Sequence, residues 1–386
     1  MKILHTSDWH LGHTLYNYDR TEEQLAMMLQ IRNIIQEEQP DAFLLCGDVY
    51  HTATPSAAIQ TMLTNAIVSF HEACPTMTII ITAGNHDSGS KHEIFRTPWR
   101  ILNVYMIGSV SNDEGWENEH IIEVKDKGYI IALPYQHERN MPKGIFQTLL
   151  DETTKRNTRQ LPVVMMAHTT VGGADFIGHD HSNERSVGGI DSLDIQDLGE
   201  GYDYLALGHI HHAQFIQGSE HRVRYSGSPL AVSFDETYSH SISIVEIASH
   251  GEFPQVRTID INNPHPLVTL PTDGWTDWET AQQLLKGYPD DIPAYIRLNV
   301  EVDDFLPASA QFDAAHIVEN KDCRFCHINA RRTLDAQKGE NHIMTVAEFQ
   351  AENPIDIARR YAQDQGIAFD ADMEKLFNEA LSEINK

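Results

Sequence analysis

The chain has 386 residues, of which 41% are hydrophobic, and it contains no apolar run of about 18 residues, the length that a membrane-spanning helix needs. These values are typical of a soluble globular protein with an ample core, and they exclude a helical membrane protein. Aspartate and glutamate number 56 against 28 lysines and arginines, for a net charge of −28 with histidine neutral, which argues against a protein that binds nucleic acid through a basic surface of its own.

The first part of the chain alternates predicted strands with predicted helices. The run MKILHTSD reads as a strand, and a capping-box string at Thr21 to Gln24 opens a helix that runs to about Glu38, before Pro40. The inner face of this helix is predicted to carry Leu25, Met28, Leu29 and Ile35. A strand at Phe43 to Cys46, a helix from Pro55 to about Glu72 and a strand at Met77 to Thr82 follow.

Strands dominate the next part of the chain. Apolar or alternating runs predict strands at Tyr129 to Leu133, Val163 to His168, Arg222 to Tyr225 and Ser241 to Ile247. Early βαβ units followed by a strand-rich stretch indicate an α/β fold with two sheets and outer helices. We assign residues 1–262 to this main domain.

A linker and a smaller unit follow Asn262. The string NNPHP disfavours regular structure, and helices at Trp275 to Leu285 and Phe312 to Glu319 then alternate with strands at Ala294 to Val302 and Cys323 to Arg331. This pattern predicts a small α/β domain at 266–335.

A helical tail is predicted at 344–386, opened by a capping-box string at Thr345. Its apolar stripe consists of Met373, Leu376, Phe377, Ala380, Leu381 and Ile384. Such a stripe packs on its own protein or binds a partner, and the sequence leaves both open.

The cysteines and the first residues predict the compartment. Cys46, Cys74, Cys323 and Cys326 offer no disulfide framework, and MKILHTSDWH lacks the basic region and long apolar core of a signal peptide. We therefore expect a cytoplasmic protein. Cys323 and Cys326 form a single C-x-x-C, but without a second pair we interpret them as strand residues rather than as half of a zinc site or a redox pair.

Several predicted strands end in residues that bind metals. DWH at Asp8 to His10, GD at Gly47 to Asp48, GNHD at Gly84 to Asp87, His168, and GHIH at Gly208 to His211 each follow an apolar run. Ligand sites of open α/β sheets lie at the carboxyl ends of the strands, so we expect these side chains to meet.

Carboxylate, amide oxygen and neutral imidazole suit hard or borderline divalent cations, and two adjacent cations need a bridging ligand. We assign one cation to Asp8, His10, Asp48 and His211. We assign the other to Asp48, Asn85, His168 and His209, with Asp48 bridging. His86, beside Asn85, projects toward the substrate and is the candidate general acid.

Each string taken alone has an ordinary explanation. Asp-x-His and Gly-Asp are common in loops, and a histidine that ends an apolar run, as His168 does, is usually a core or edge histidine. Only the combination at five strand ends favours a two-metal hydrolase.

The combination DxH, GDxxH, GNHD, H and GHxH resembles the calcineurin-like metallophosphoesterase superfamily. The strings GDVYHTATPS, HTTVGG (His168 to Gly173) and YSGSPLAVSFDE (Tyr225 to Glu236) are similar to the bacterial SbcD nuclease subunits. The resemblance covers the whole chain, most strongly up to Glu236. It implies a two-sheet sandwich with outer helices, a small α/β capping domain, and a second active-site histidine, His51, that helps to orient His86.

The resemblance also implies an activity and partners. It implies a hydrolase with two divalent cations, expected to be Mn²⁺, acting as exonuclease and endonuclease on double-strand ends and hairpins in DNA repair, recombination and replication. Further implications are an SbcC-type ATPase bound by the helical tail, and a homodimer within a heterotetramer, with self-association near the second helix. Because the chain is acidic, we expect weak DNA affinity of its own.

Two other functions remain open. A phosphoesterase of this fold could act on nucleotides or phosphoproteins, since fold and metals alone do not fix the substrate. A noncatalytic scaffold could keep the fold to recruit a partner, although the complete ligand set argues against it.

Overall fold

The computed structural model describes residues 1–333 except 95, 112, 138–140 and 178–191, together with Met373 and Phe377. Its contacts divide the chain into two compact units, Met1–Arg332 and Thr333–Lys386. All elements given below belong to the first unit. The predicted tail at 344–386 lies outside the described residues, apart from Met373 and Phe377, which are helical.

The described residues of the first unit form seventeen strands and eight α-helices. The strands are β1 (Lys2–Thr6), β2 (Thr14–Leu15), β3 (Tyr18–Asp19), β4 (Ala42–Cys46), β5 (Thr78–Thr82), β6 (Val104–Ile107), β7 (Ile121–Val124), β8 (Gly128–Ala132), β9 (Val163–His168), β10 (Tyr204–Gly208), β11 (Gln214–Phe215), β12 (Val223–Tyr225), β13 (Ser241–Glu246), β14 (Gln255–Asp260), β15 (Leu267–Leu270), β16 (Tyr295–Val302) and β17 (Arg324–Arg332). The helices are α1 (Thr21–Glu38), α2 (Ala57–Ala73), α3 (Gly89–Ile94), α4 (Arg96–Trp99), α5 (Glu117–His120), α6 (Ile145–Arg156), α7 (Trp278–Gly287) and α8 (Ala310–Ile317). No helix in these described ranges is both long and apolar enough to span a membrane.

Two six-stranded sheets form the body of the unit. The first has the order β14-β13-β1-β4-β5-β6, and the second has the order β11-β12-β10-β9-β8-β7. In the first sheet β1, β4, β5 and β6 run parallel, and in the second β8, β9, β10 and β12 do. Parallel strands end at the same edge, so the polar residues that follow them are brought together there.

The alternation of side chains along the strands creates three apolar layers. In β4, Leu44 packs in the layer between the two sheets, while Phe43 and Leu45 face the opposite way, toward α1 and α2. Helix α6 covers the outer face of the second sheet through residues such as Leu149. The predicted two-sheet sandwich with outer helices is confirmed.

A third sheet follows the two-sheet body. Its order is β15-β16-β17, all parallel, and its strands alternate with α7 and α8, which together enclose a core of their own. These elements fall within the predicted segment 266–335. Because the small sheet and the two-sheet body belong to one compact unit, the domain boundaries at 262 and 266 stay a prediction.

The two cysteines of the C-x-x-C string lie on either side of Arg324, the first residue of β17. Cys323 is buried in the core of the small sheet and Cys326 packs against a neighbouring apolar cluster, and both are free thiols. Their interpretation as strand residues holds for Cys326, whereas Cys323 immediately precedes the strand.

Two details predicted for α1 are wrong. Leu25 and Leu29 are 51% and 58% exposed, and the buried face instead carries Met27, Met28, Ile31 and Ile35 together with Glu23 and Gln24. Glu23 and Gln24 are buried because their side chains find hydrogen-bond partners, which apolar periodicity does not register. Thr21 is not the cap either, because it is the first residue of the helix and Arg20 occupies the cap position, where no side chain makes a capping hydrogen bond.

Candidate metal centre

The predicted site residues converge at the carboxyl edge of the two sheets. Asp8 and His10 follow β1, Asp48 follows β4, and Asn85 and His86 follow β5. The second sheet contributes His168, the last residue of β9, and the pair His209 and His211 after β10. Three close groups result, namely Asp8 with His10 and His211, Asp8 with Asp48 and His168, and His10 with His51 and His86.

Asp48 lies at the middle of the cluster. Its Oδ2 atom is 3.8 Å from His10 Nε2 on one side and 3.5 Å from His168 Nε2 on the other. His10 Nε2 is in turn 3.2 Å from His211 Nε2. One carboxylate oxygen therefore faces imidazoles of both predicted ligand sets, which is the position that a bridging ligand needs.

Asn85 organises the other side of the cluster. Its Oδ1 atom lies 2.9 Å from His168 Nε2 and 3.1 Å from His209 Nδ1. A cation with bonds of about 2.1 Å holds neighbouring ligand atoms roughly 3 to 3.5 Å apart. The distances from Asn85 Oδ1 to these two nitrogens, like the distance between His10 Nε2 and His211 Nε2, fit such a cation.

Hydrogen bonds behind two of the imidazoles fix their orientation. His168 Nδ1 lies 2.8 Å from the Cys46 carbonyl oxygen, and His211 Nδ1 lies 3.0 Å from Glu236 Oε1. Both partners accept, so Nδ1 carries the proton, and the neutral tautomer presents the Nε2 lone pair to the centre. The donor set therefore fits divalent cations.

The buried charges also call for a cation. Burial raises the pKa of Asp8 above its usual range. Burial also disfavours ionisation of Asp48, but His168 and His10 outweigh it and lower the pKa of Asp48. Burial lowers the pKa of His168, yet Asp48 and Asp8 outweigh burial and raise that pKa to about 10. Positive charge must therefore lie beside these buried carboxylates: a protonated His168 supplies it at this pKa, and divalent cations would displace that proton and leave His168 neutral.

His86 stands at the open side of the cluster, with a quarter of its side chain exposed. Its Nδ1 donates to the His51 carbonyl oxygen at 2.9 Å, which turns Nε2 to within 4.0 Å of Asp48 Oδ2. His51 thus contacts His86 through its backbone carbonyl and also through its ring, which stacks on the His86 ring with the centroids 5.7 Å apart. The His51 ring packs among other imidazoles, 4.7 Å from the His13 ring and 5.7 Å from the His10 ring between centroids.

The backbone around the centre adopts uncommon conformations. Asp8, His10, Asp48 and His209 have φ values of 55°, 44°, 48° and 102°. Positive φ is uncommon for residues other than glycine, and it concentrates at functional sites where the surrounding structure enforces it. Sequence reasoning gave no sign of this feature.

Two carboxylates that sequence reasoning did not select hold the ligand loops. Asp87 accepts N–H groups of Val49, Tyr50 and Gly84 at 2.9 to 3.0 Å, which ties the GNHD loop to the loop after β4. Glu236, nearly fully buried, orients His211. Asp87 is the last residue of GNHD, and Glu236 is the last residue of YSGSPLAVSFDE. The sequence motifs therefore contained both residues, but only the fold shows what each of them contacts.

Comparison with known proteins identifies the class. The family model for calcineurin-like phosphoesterase matches residues 1–213, and the chain therefore belongs to the calcineurin-like phosphoesterase family.

Particular relatives within that family share one name, that of the SbcD component of the nuclease SbcCD. The protein from Rhodobacter capsulatus is 31% identical over 71% of this chain and 72% of its own length. The protein from Escherichia coli K12 is 27% identical over 79% of each chain, and the one from Bacillus subtilis is 28% identical over 100% of this chain and 99% of its own. The predicted resemblance to SbcD nuclease subunits is confirmed.

Proposed function

We propose that this chain is a metal-dependent DNA nuclease subunit that hydrolyses phosphodiesters at double-strand ends and hairpins, and that it works with an SbcC-type ATPase in the cytoplasm. The relatives named as the SbcD component of the nuclease SbcCD support the substrate class and the partner. The observation that carries the chemistry is Asp48 Oδ2, which faces His10 Nε2 and His168 Nε2 at 3.8 and 3.5 Å.

The proposed ligand sets are those that the sequence predicts, and the distances within the cluster support them. Site 1 consists of Asp8, His10, Asp48 and His211, and site 2 consists of Asp48, Asn85, His168 and His209. The carboxylate and amide oxygens suit Mn²⁺, whereas the imidazoles also suit other divalent transition metals; we propose Mn²⁺ because the resemblance to SbcD nuclease subunits implies it. When bound, two such cations activate a water nucleophile and neutralise the charge that develops on the phosphate.

The remaining chemistry belongs to the side chains. Cys46 and Glu236 hold His168 and His211 in the tautomer that a cation needs. His86 Nδ1 is engaged by the His51 carbonyl, so its Nε2 can deliver a proton to the departing sugar oxygen. Both the carbonyl and the ring of His51 contact His86, and we propose that both position it.

Binding of DNA is proposed to depend on the partner. Several arginines of this acidic chain already have partners within the fold. Arg222 donates to carbonyl oxygens of Asp203, Gly251 and Glu252, and Arg156 and Arg331 pair with Glu152 and Glu301. These contacts support weak DNA affinity of the chain alone. We propose that two copies of the chain join two ATPase subunits in a heterotetramer, and that the tail at 344–386 binds the ATPase.

The test is cleavage of end-labelled duplex and hairpin DNA with Mn²⁺, by the chain alone and with an SbcC-type ATPase. A generic phosphomonoester and a generic phosphodiester serve as comparison substrates, and His86→Ser serves as the variant. We expect the wild type to cleave DNA and His86→Ser to lose this activity.

Turnover of only the small esters would transfer the assignment to the alternative, a phosphoesterase of the same fold that acts on nucleotides or phosphoproteins. Absence of all turnover in the presence of bound Mn²⁺ and the ATPase would contradict both functions.

A further inference from the structure

Strand β16 of the small sheet contacts two regions of the two-sheet body. Its first residue, Tyr295, donates its hydroxyl proton to Glu23 Oε1 at 2.6 Å, and Arg324 Nη1 donates to the Tyr295 oxygen at 2.7 Å. Glu23 is fully buried in α1. A buried carboxylate is costly unless it is hydrogen-bonded, so this contact fixes the position of β16 against α1.

The next residue of α1 holds the loop that carries His10. Gln24 Nε2 donates to the His10 carbonyl oxygen at 3.2 Å, and Gln24 Oε1 accepts the Gly12 N–H at 3.2 Å. Glu23 and Gln24 are adjacent in one helix and move together. Tyr295 is therefore linked to His10 through a single rigid turn.

A second link has the same design. Arg297, two residues further along β16, donates to Asp235 Oδ1 at 2.7 Å and to the Phe234 carbonyl oxygen at 3.2 Å. The residue after Asp235 is Glu236, whose Oε1 atom accepts the proton of His211 Nδ1. The Arg297 guanidinium is thus one residue away from the carboxylate that orients His211.

Both links lead to the same proposed cation. His10 and His211 are the two imidazoles of site 1, with their Nε2 atoms 3.2 Å apart. The histidines of site 2 are held differently, since His168 bonds to the Cys46 carbonyl in the first sheet and the His209 N–H bonds to Asp8. The small sheet is therefore coupled to one site of the pair.

We infer that Tyr295 and Arg297 are positioning residues that set the Mn²⁺ affinity of site 1, so that the small sheet controls the occupancy of that site from outside the metal centre. The inference rests on the proposed ligand sets. Its consequence is that any partner or substrate that shifts β16 changes the occupancy of site 1 before that of site 2.

The experiment measures Mn²⁺ binding by isothermal titration calorimetry and by electron paramagnetic resonance on the full chain. Arg297→Ala and Tyr295→Phe should each weaken one of two sites by about tenfold, the lower end of the range for substitutions behind metal ligands. Arg297→Lys should restore part of the affinity, because it keeps a cation beside Asp235. Arg331→Ala, which removes an arginine from an ion pair with Glu301 inside the small sheet, is the matched control and should leave both sites unchanged.

Two variants that each lack a ligand of one site identify which Mn²⁺ site Arg297→Ala weakens. Asn85→Ala removes a ligand of site 2 alone, and Arg297→Ala should weaken the site that remains. His10→Ala removes a ligand of site 1 alone, and the same substitution should then have no effect on the remaining site. Thermal unfolding of each variant in the presence of a chelator tests whether the fold is kept, and a midpoint close to that of the wild type is expected.

The outcomes separate the two proposals. Fewer than two Mn²⁺ bound by the wild-type chain refutes the ligand sets and, with them, this inference. The inference is overturned if the wild type binds two Mn²⁺ and Arg297→Ala and Tyr295→Phe either leave both affinities unchanged or weaken both sites equally. The proposed function would then still stand. Loss confined to site 1 in both variants supports the coupling.

Discussion

Substitution of Gly84 by alanine tests the centre through a single added methyl group. A Cβ atom at Gly84 would lie 2.1 Å from Asp48 Oδ1 and 2.2 Å from the Asp48 backbone nitrogen, whereas ordinary contact begins at 3.4 Å. The gap must open by about 1.3 Å. Because one of the two atoms belongs to the backbone, rotation of a flexible side chain cannot relieve the overlap.

The displaced residue is the one proposed to serve both cations. A misplacement of about 1 Å costs on the order of 100-fold in catalysis, and Asp48 also accepts the His86 N–H at 2.9 Å, so His86 moves as well. We expect Gly84→Ala to weaken both Mn²⁺ sites and to lower the rate of DNA cleavage by about 100-fold or more, as measured by calorimetry and with end-labelled duplex.

The matched control is Gly287→Ala, at the last residue of α7, where an added Cβ meets nothing within 4 Å. It should bind Mn²⁺ and cleave DNA as the wild type does. Two Mn²⁺ bound with wild-type affinity by Gly84→Ala, together with full cleavage, would refute the bridging role of Asp48.

Three further predictions concern the chemistry, the pH dependence and the core. His86→Ser should keep both Mn²⁺ and lose turnover by about 10²- to 10⁴-fold, as checked by calorimetry beside a cleavage assay; full activity would exclude His86 as the acid. Burial lowers the pKa of His5 to about 3, so the folded state binds this proton less readily than the unfolded state does. The stability that this group contributes is complete above its ordinary pKa of 6.5 and is lost as pH falls from there toward 3, at about 1.4 kcal/mol per pH unit. In His5→Gln, the slope of the unfolding free energy against pH, measured with urea between about pH 6 and 4.5, should therefore be smaller by about 1.4 kcal/mol per pH unit. Ile80→Ala opens a cavity between the two sheets, where Ile80 is fully buried, and should cost about 2 to 5 kcal/mol in urea unfolding.

The positions of the central strands could be predicted, and the candidate ligands could be selected, because both depend on local pattern. Apolar runs such as Phe43 to Cys46 become central strands, and the polar residue that follows each of them emerges at one edge. The same reasoning failed for α1, where Leu25 and Leu29 keep helical spacing yet face solvent. Periodicity finds an apolar stripe, but it does not register Glu23 and Gln24, which are buried through hydrogen bonds to distant groups.

The residues that position the ligands depend on contacts between remote parts of the chain. Glu236 is 25 residues from His211, and Arg297 is 62 residues from Asp235. A metal ligand is limited to a few residue types at strand ends, and so it can be selected by type and place. A carboxylate that orients a ligand can come from any loop that the fold brings near. In an acidic chain, its residue type does not distinguish it from the many other aspartates and glutamates. Asp87 makes the same point from within a selected string, because its three N–H partners come from two loops. The chemistry of such a centre is therefore local in sequence, whereas its geometry depends on the assembly of the whole unit, and this is why substitutions in β16 are expected to reach a cation that β16 does not touch.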